Sequence, residues 1–199
     1  MRILILGAGA IGGYFGARLH AAGGYVTFLV RNARASQLAA GGLLVVESTL
    51  GNVRIKPRTI TSADAREHYD VIILTCKAYD LGPAMDSILP FVGRNSVILP
   101  LLNGIAHLDA LDSQFGRDRV LGGVAHLAVT LTPEGSIRHL NNMHRLIFGS
   151  RGPRESAWLA PLAQLFSAAS SDFRLSANVE QDMWDKCNGV HLTICGVQS

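Results

Sequence analysis

Met1-Arg2-Ile3-Leu4-Ile5-Leu6-Gly7-Ala8-Gly9-Ala10-Ile11-Gly12 is the stretch that decides the fold. Its apolar opening has the composition of a parallel strand buried on both faces, and it runs straight into glycines at 7, 9 and 12. Glycines at this spacing let the chain turn tightly, approach a pyrophosphate with bare backbone, and pack the following helix on the strand. The helix start at Ala10 and Ile11 offers free N–H groups and the positive end of its dipole to phosphates. A glycine triplet alone says little. Between a strand and a helix it reads as a dinucleotide site.

Outward from this loop, strands and helices alternate. Ile11, Tyr14, Phe15 and Leu19 form a helical stripe over 10–22, stopped by Gly23-Gly24. Residues 25–30 predict a second strand ending at Arg31, followed by a short helix over 33–40. Segments 43–47 and 52–56 flank a turn with Gly51 and predict a hairpin. Residues 70–76 predict a further buried strand, with Cys76 as a small core residue and Lys77 at the carboxyl end. A helix is expected over 80–91, its first turn tolerating Pro83, and then a strand over 95–102 that delivers Asn103-Gly104. Three more strands, 120–131, 136–139 and 145–148, are expected around a Pro133-Glu134-Gly135 turn. Beyond a Gly/Pro-bearing break at 149–154, a helix over 155–169 would gather Trp158, Leu162, Leu165 and Phe166 near one face. The pattern is an α/β sheet with an antiparallel extension.

The 199 residues suit one domain, or one domain and part of a second. With 48% hydrophobic and 17% charged residues the chain can fill a core. The net charge of +3 comes from scattered Lys and Arg, without the basic stripe or aromatic platforms of a nucleic-acid partner. No apolar run reaches membrane-spanning length, and the first is too brief for a signal peptide. Cys76, Cys187 and Cys195 are odd in number and lack metal-ligand spacing, which predicts reduced thiols and a cytoplasmic location. His107, His139, His144 and His191 show no metal-site spacing, and His126, inside an apolar run, reads as a core histidine with a satisfied hydrogen bond.

Arg31 stands nineteen positions after Gly12, at the end of the second predicted strand. An acidic residue there would suit the ribose 2′-OH of NAD, whereas an arginine suits the 2′-phosphate of NADP, to which Arg34 could add charge. The alternative is an ordinary strand-end arginine. Lys77 and Asn103 each follow a predicted parallel strand, at the end where such sheets bind ligands, so both could face one crevice. Their donors and acceptor suit a carbonyl or carboxylate, although a lysine after a strand is often only a surface group. Asn178 is a good N-cap for a helix that would carry Lys186, a lysine that by itself reads as solvated.

Gly7-Ala8-Gly9-Ala10-Ile11-Gly12, Lys77-Ala78-Tyr79, Asn103-Gly104-Ile105, Gly122-Gly123-Val124-Ala125 and Trp184-Asp185-Lys186 together resemble the 2-dehydropantoate 2-reductase (ketopantoate reductase) family. The resemblance spans the chain from Met1 to about Lys186. It implies a Rossmann-type, mostly parallel sheet with an antiparallel extension, followed by the start of a truncated all-helical domain. On this reading 1–172 bind NADPH and 173–199 begin the incomplete helical domain. It implies reduction of 2-dehydropantoate to (R)-pantoate, toward pantothenate and coenzyme A, impaired if the helical domain is missing. Lys186 would protonate the carbonyl oxygen. Gly7, Gly9, Ala10, Ile11, Gly12, Arg31, Lys77, Asn103 and Ala125 would hold the cofactor, and Lys77 and Asn103 would touch a small 2-oxo acid substrate. No metal, nucleic-acid or membrane partner is expected, and apolar surface around Met183 and Trp184 predicts a homo-oligomer.

Two departures matter. Where the family carries asparagines four and eight residues beyond the lysine, this chain has Val190 and Ile194. The segment 187–199 also reads poorly as helix, because Asn188-Gly189 is followed by β-branched residues. A paralogue acting on another 2-oxo acid and a non-catalytic dinucleotide-binding module are the alternative readings.

Overall fold

The computed structural model of the chain describes residues 1–64, 67–152 and 156–195, with side chains up to residue 188. In chain order the elements are β1 (Arg2–Leu6), α1 (Ala10–Ala21), β2 (Tyr25–Leu29), α2 (Asn32–Gly41), β3 (Leu44–Glu47), β4 (Val53–Ile55), β5 (Arg58–Ile60) and β6 (Tyr69–Leu74). They continue with α3 (Leu81–Ile88), β7 (Val92–Pro100), α4 (His107–Phe115), β8 (Gly122–Leu131), β9 (Ile137–Gly149), α5 (Leu159–Ala168), β10 (Phe173–Leu175) and α6 (Val179–Cys195). Two sheets result. The first is wholly parallel, in the order β5-β2-β1-β6-β7. Its chain winds outward from β1 in both directions, which opens a crevice at the carboxyl ends of the central strands.

The strand residues explain why this sheet is covered on both faces. Ile3 and Ile5 of β1, Val71 and Ile73 of β6, and Val97 and Leu99 of β7 enter one apolar cluster with Phe15, Phe148 and Phe166. The alternate residues Leu4, Ile72, Leu74 and Ile98 enter a second cluster with Ile88, Leu111, Met183 and Val179. Period-two alternation therefore serves two cores, and each fully buried aliphatic contributes about 1.5–3 kcal/mol. Helix α1 is buried nearly all round, because it lies between the parallel sheet and the second sheet. The close approach needs Gly16, where a Cβ would stand 2.5 Å from the Phe28 ring.

The second sheet is built on a β8–β9 antiparallel hairpin. The other edge of β9 pairs in parallel with β3 near its start and with β10 near its end, and β4 closes an antiparallel hairpin on β3. The strands expected over 136–139 and 145–148 are one continuous strand, β9. A bulge hides this from the sequence: residues 140–143 stand opposite the single residue 128, between the pairs Leu127↔His144 and Val129↔His139. His139 holds the bulge by donating from Nε2 to the Met143 carbonyl (2.9 Å) and accepting at Nδ1 from Ser48 Oγ (2.9 Å).

Other differences have simple causes. The three-residue strands β5 and β10 are too short to show a period, and α4 is a short helix that buries Leu108, Leu111 and Phe115. The backbone of α6 continues through Cys195 despite Asn188-Gly189. An interior glycine costs a helix about 1 kcal/mol, too little to end one whose start is packed by Val179 and Met183. Met183 is buried, leaving Trp184 as the exposed member of that pair. Pro153, Arg154, Glu155 and 196–199, and the side chains of Val190, His191, Ile194 and Cys195, lie outside the described residues. Among the described residues no helix is long and apolar enough to cross a membrane, and no cluster of His, Cys, Asp or Glu could hold a metal ion.

Candidate functional site

At the carboxyl ends of β1, β2 and β6 lies a cleft of about 680 Å³. Its floor is the segment Leu6 to Gly12, and its walls include Arg31, Thr61, Ser62, Thr75, Lys77 and Asp80. Gly7 has φ +94, which a side chain would strain, and its N–H donates to the Leu29 carbonyl (2.8 Å). At Gly12 a Cβ would fall 2.3 Å from the Gly7 carbonyl oxygen and 2.5 Å from Thr75 Oγ1, so only glycine lets α1 sit this close to β1. Thr75 fixes the turn by donating to the Leu6 carbonyl (2.8 Å), a role its place in an apolar strand did not reveal. A Cβ at Gly9 would meet no atom within 4 Å. The protein thus leaves open space directly before the first turn of α1, whose N–H groups have no intrahelical acceptor. An anion fits this cradle.

Around the rim, the basic residues have different freedom. Arg31 is 82% exposed and faces Asp80, with NH2 to Oδ1 at 3.4 Å. Arg34 is half-buried and committed: Nε donates to the Ala8 carbonyl (3.0 Å) and NH2 to the Gly135 carbonyl (3.1 Å). It ties the glycine loop to the β8–β9 turn rather than offering a free charge. Lys77 is exposed on the cleft wall, and among the described residues nothing pairs with its ammonium. Cys76 lies just past β6, half-buried in the cleft wall and packed against the second apolar cluster. Burial, and then the Asp80 carboxylate, push its thiol pKa up.

A second group assembles around Lys186. Its Nζ donates to Asn103 Oδ1 (2.9 Å) and to the Ala125 carbonyl (2.7 Å). These partners come from the loop after β7 and from β8, so three distant segments meet. The glycine pair before Ala125 explains the docking: a Cβ at Gly123 would stand 2.6 Å from the Pro100 carbonyl oxygen, and one at Gly122 would stand 2.4 Å from a Val179 methyl. Strand β8 therefore lies against both β7 and the first turn of α6. An ammonium has three donors, and two are taken, leaving one for an incoming oxygen. Burial pulls the Lys186 pKa below the usual lysine range, with Cys187 offsetting part of that.

The start of α6 is fixed by charge as well. The Arg151 side chain is 2% exposed and pairs with both Asp112 oxygens (2.6 and 2.9 Å) and with Glu180 Oε1 (2.9 Å). Asn178 caps the helix through Oδ1 to the Gln181 N–H (3.4 Å). His126 is half-buried beside Lys186 rather than sealed in the core, and its pKa is lowered by burial, then by Lys186 and Arg145, against Asp182. Lys77 lies on the cleft wall, and Asn103 is bonded to Lys186.

Comparison with known proteins agrees with this fold. The chain is 38% identical over 186 residues to an uncharacterized oxidoreductase, YkpB, of Bacillus subtilis, covering 94% of this chain and 61% of the relative. A crystal structure of 2-dehydropantoate 2-reductase from Geobacter metallireducens superposes with TM-score 0.84 at 32% identity, covering 94% of this chain and 61% of that one. A ternary structure of D-mandelate dehydrogenase with NADH and anilino(oxo)acetate superposes with TM-score 0.83 at 25% identity, covering 94% and 60%. The chain thus spans about three fifths of the length of these relatives. Residues 3–153 match the family described as ketopantoate reductase PanE/ApbA, and the chain belongs to that family.

Proposed function

We propose that the chain carries the cofactor site and catalytic lysine of an NADPH-dependent reductase that converts 2-dehydropantoate to (R)-pantoate. The observation that carries the reading is the Lys186 ammonium, held by Asn103 and Ala125 with one donor free. Residues 1–172 form the dinucleotide-binding part in this reading, and α6 opens the helical part. The open cradle at Gly9 and the first turn of α1 receive the pyrophosphate, and Arg31 reaches the 2′-phosphate. When bound, the reduced nicotinamide supplies a hydride to the keto carbon. Lys186 holds a proton at Nζ and passes it to the carbonyl oxygen as negative charge develops there. Asn103 Oδ1 and the Ala125 carbonyl aim that proton, and the partly buried setting strengthens the charge interaction. Lys77 is free to meet an anionic group of cofactor or substrate.

Fluorescence titration with NADPH and steady-state oxidation of NADPH with 2-dehydropantoate test the reading. Saturable binding with turnover supports it, and absence of NADPH binding overturns it. A second reading, reduction of another 2-oxo acid, draws on the likeness to D-mandelate dehydrogenase. A panel of 2-oxo acids separates the two by kcat/KM. A homo-oligomeric state belongs to this proposal, and sedimentation over a wide concentration range checks it.

A further inference from the structure

Among the described residues lining the cleft, Asp80 is the one acidic side chain. It ends a 3₁₀ turn, Ala78–Asp80, that runs straight into α3, and its side chain makes no cap bond there. Its carboxylate instead reaches from the β6 side of the cleft to Arg31 at the end of β2, 3.4 Å away. The pair stands where this architecture places the adenosine 2′ position. Arg34 cannot take over the role of Arg31, because its guanidinium is bound to Ala8 and Gly135.

We propose that Asp80 is a specificity-determining residue at the 2′ position. Its carboxylate holds Arg31 and repels a 2′-phosphate, and it accepts a hydrogen bond from an unphosphorylated ribose. Preference between NADPH and NADH is then set by the balance of Asp80 against Arg31, not by Arg31 alone. This rests on the reading of the cleft as a dinucleotide site. An exposed ion pair is weak, so a phosphate can displace it. The displaced carboxylate nevertheless stays beside a dianion, and the cofactor meets that repulsion at each binding event. Removing the charge and keeping the shape, as in Asp80→Asn, frees Arg31 for bidentate phosphate pairing.

Titrations of NADPH and NADH, followed by nicotinamide fluorescence at fixed low ionic strength, test this on the chain, on Asp80→Asn, on Arg31→Ala and on the double variant. Asp80→Asn is expected to tighten NADPH about fivefold and to leave NADH unchanged or weaker. In the Arg31→Ala background the gain should largely vanish. A preference ratio that moves by less than about twofold, or equal gains for both cofactors, overturns the proposal. So does an undiminished gain without Arg31. A chain that binds neither cofactor overturns the dinucleotide reading together with this one. Binding of both with an unmoved ratio overturns only the role of Asp80.

Discussion

The cleft draws its floor from one contiguous stretch, Leu6 to Gly12, whereas the Lys186 group takes its members from α6, the loop after β7 and β8. The first is made of backbone and of side chains that are missing: a positive φ at Gly7, a Cβ that would collide at Gly12, open space at Gly9. The second is made of side-chain and carbonyl dipoles brought together by packing. A backbone-built cradle tolerates change on its rim. A group assembled from three segments depends on everything that holds those segments in place. The two halves should therefore fail separately.

Replacing the lysine gives the widest separation. Lys186→Ala is expected to lower turnover on the 2-oxo acid by a hundredfold or more, roughly the scale of general acid catalysis. NADPH affinity by fluorescence should stay within about twofold, since Lys186 is not part of the cleft wall. The same lysine sets an alkaline limit. It must be protonated to act, and burial lowers its pKa, so kcat should fall with rising pH at values below the ordinary lysine range. A profile flat into that range, or cofactor loss equal to the turnover loss, would break the division.

Acid should reveal a difference in stability. His107 opens α4, four residues past Asn103, and its Nε2 is buried with no partner among the described residues. Burial, and then the charge of Arg151, lower its pKa from 6.5 to about 4. Between those values the unfolded chain binds a proton that the folded chain refuses. Stability is therefore full above 6.5 and falls as pH drops toward 4, by at most about 3 kcal/mol. Thermal melts of the chain and of His107→Gln across this window check it, and the variant should lose most of the slope. Hydrogen exchange should loosen α4 before α1. Equal slopes for both proteins would remove His107 from the account.

Arg31→Ala is the third and smaller effect. It removes a charge-assisted contact from an exposed site, and NADPH should weaken about tenfold with NADH nearly unchanged. Equal losses for both cofactors would mean that Arg31 shapes the cleft without reading the 2′ group.

The same contrast explains what could be read from the sequence. Gly7, Gly9 and Gly12 announce themselves because a strand, a turn and a helix follow one another within twelve residues. The two apolar clusters were implicit in the alternation of β1, β6 and β7. By contrast, Lys186 gained a role only through family resemblance, since nothing local links it to residues 83 and 61 positions away. The commitment of Arg34 to Gly135 and the turn of Asp80 toward Arg31 are likewise products of topology. The continuity of β9 is hidden in the same way, because residues 140–143 stand opposite the single residue 128 and break the alternation, and only the pairing with β8 on both sides shows one strand.

The smallest expected effect concerns the helix that carries the lysine. Asn178 caps α6, but its bond to Gln181 is 3.4 Å long, near the limit of a useful hydrogen bond. More of the anchoring falls to neighbours: Val179 is buried against Gly122, the buried Arg151 grips Glu180, and Asp182 accepts from Arg174 (2.5 Å) and Ser176. Asn178→Ala should therefore cost only about 0.5 kcal/mol, the low end for losing a cap, or a melting shift of about 1–2 °C. Turnover should hold, because Lys186 lies two turns further along and keeps its own bonds to Asn103 and Ala125. Thermal melts and steady-state rates on the same sample decide it. A loss above about 2 kcal/mol would show that the cap, not the charge pair and the packing, sets the start of α6. A fall in turnover without a fall in stability would be more telling, since it would mean that fraying at residue 178 reaches the ammonium directly. The Lys186 group would then be tuned by its own helix rather than by the sheet it rests on.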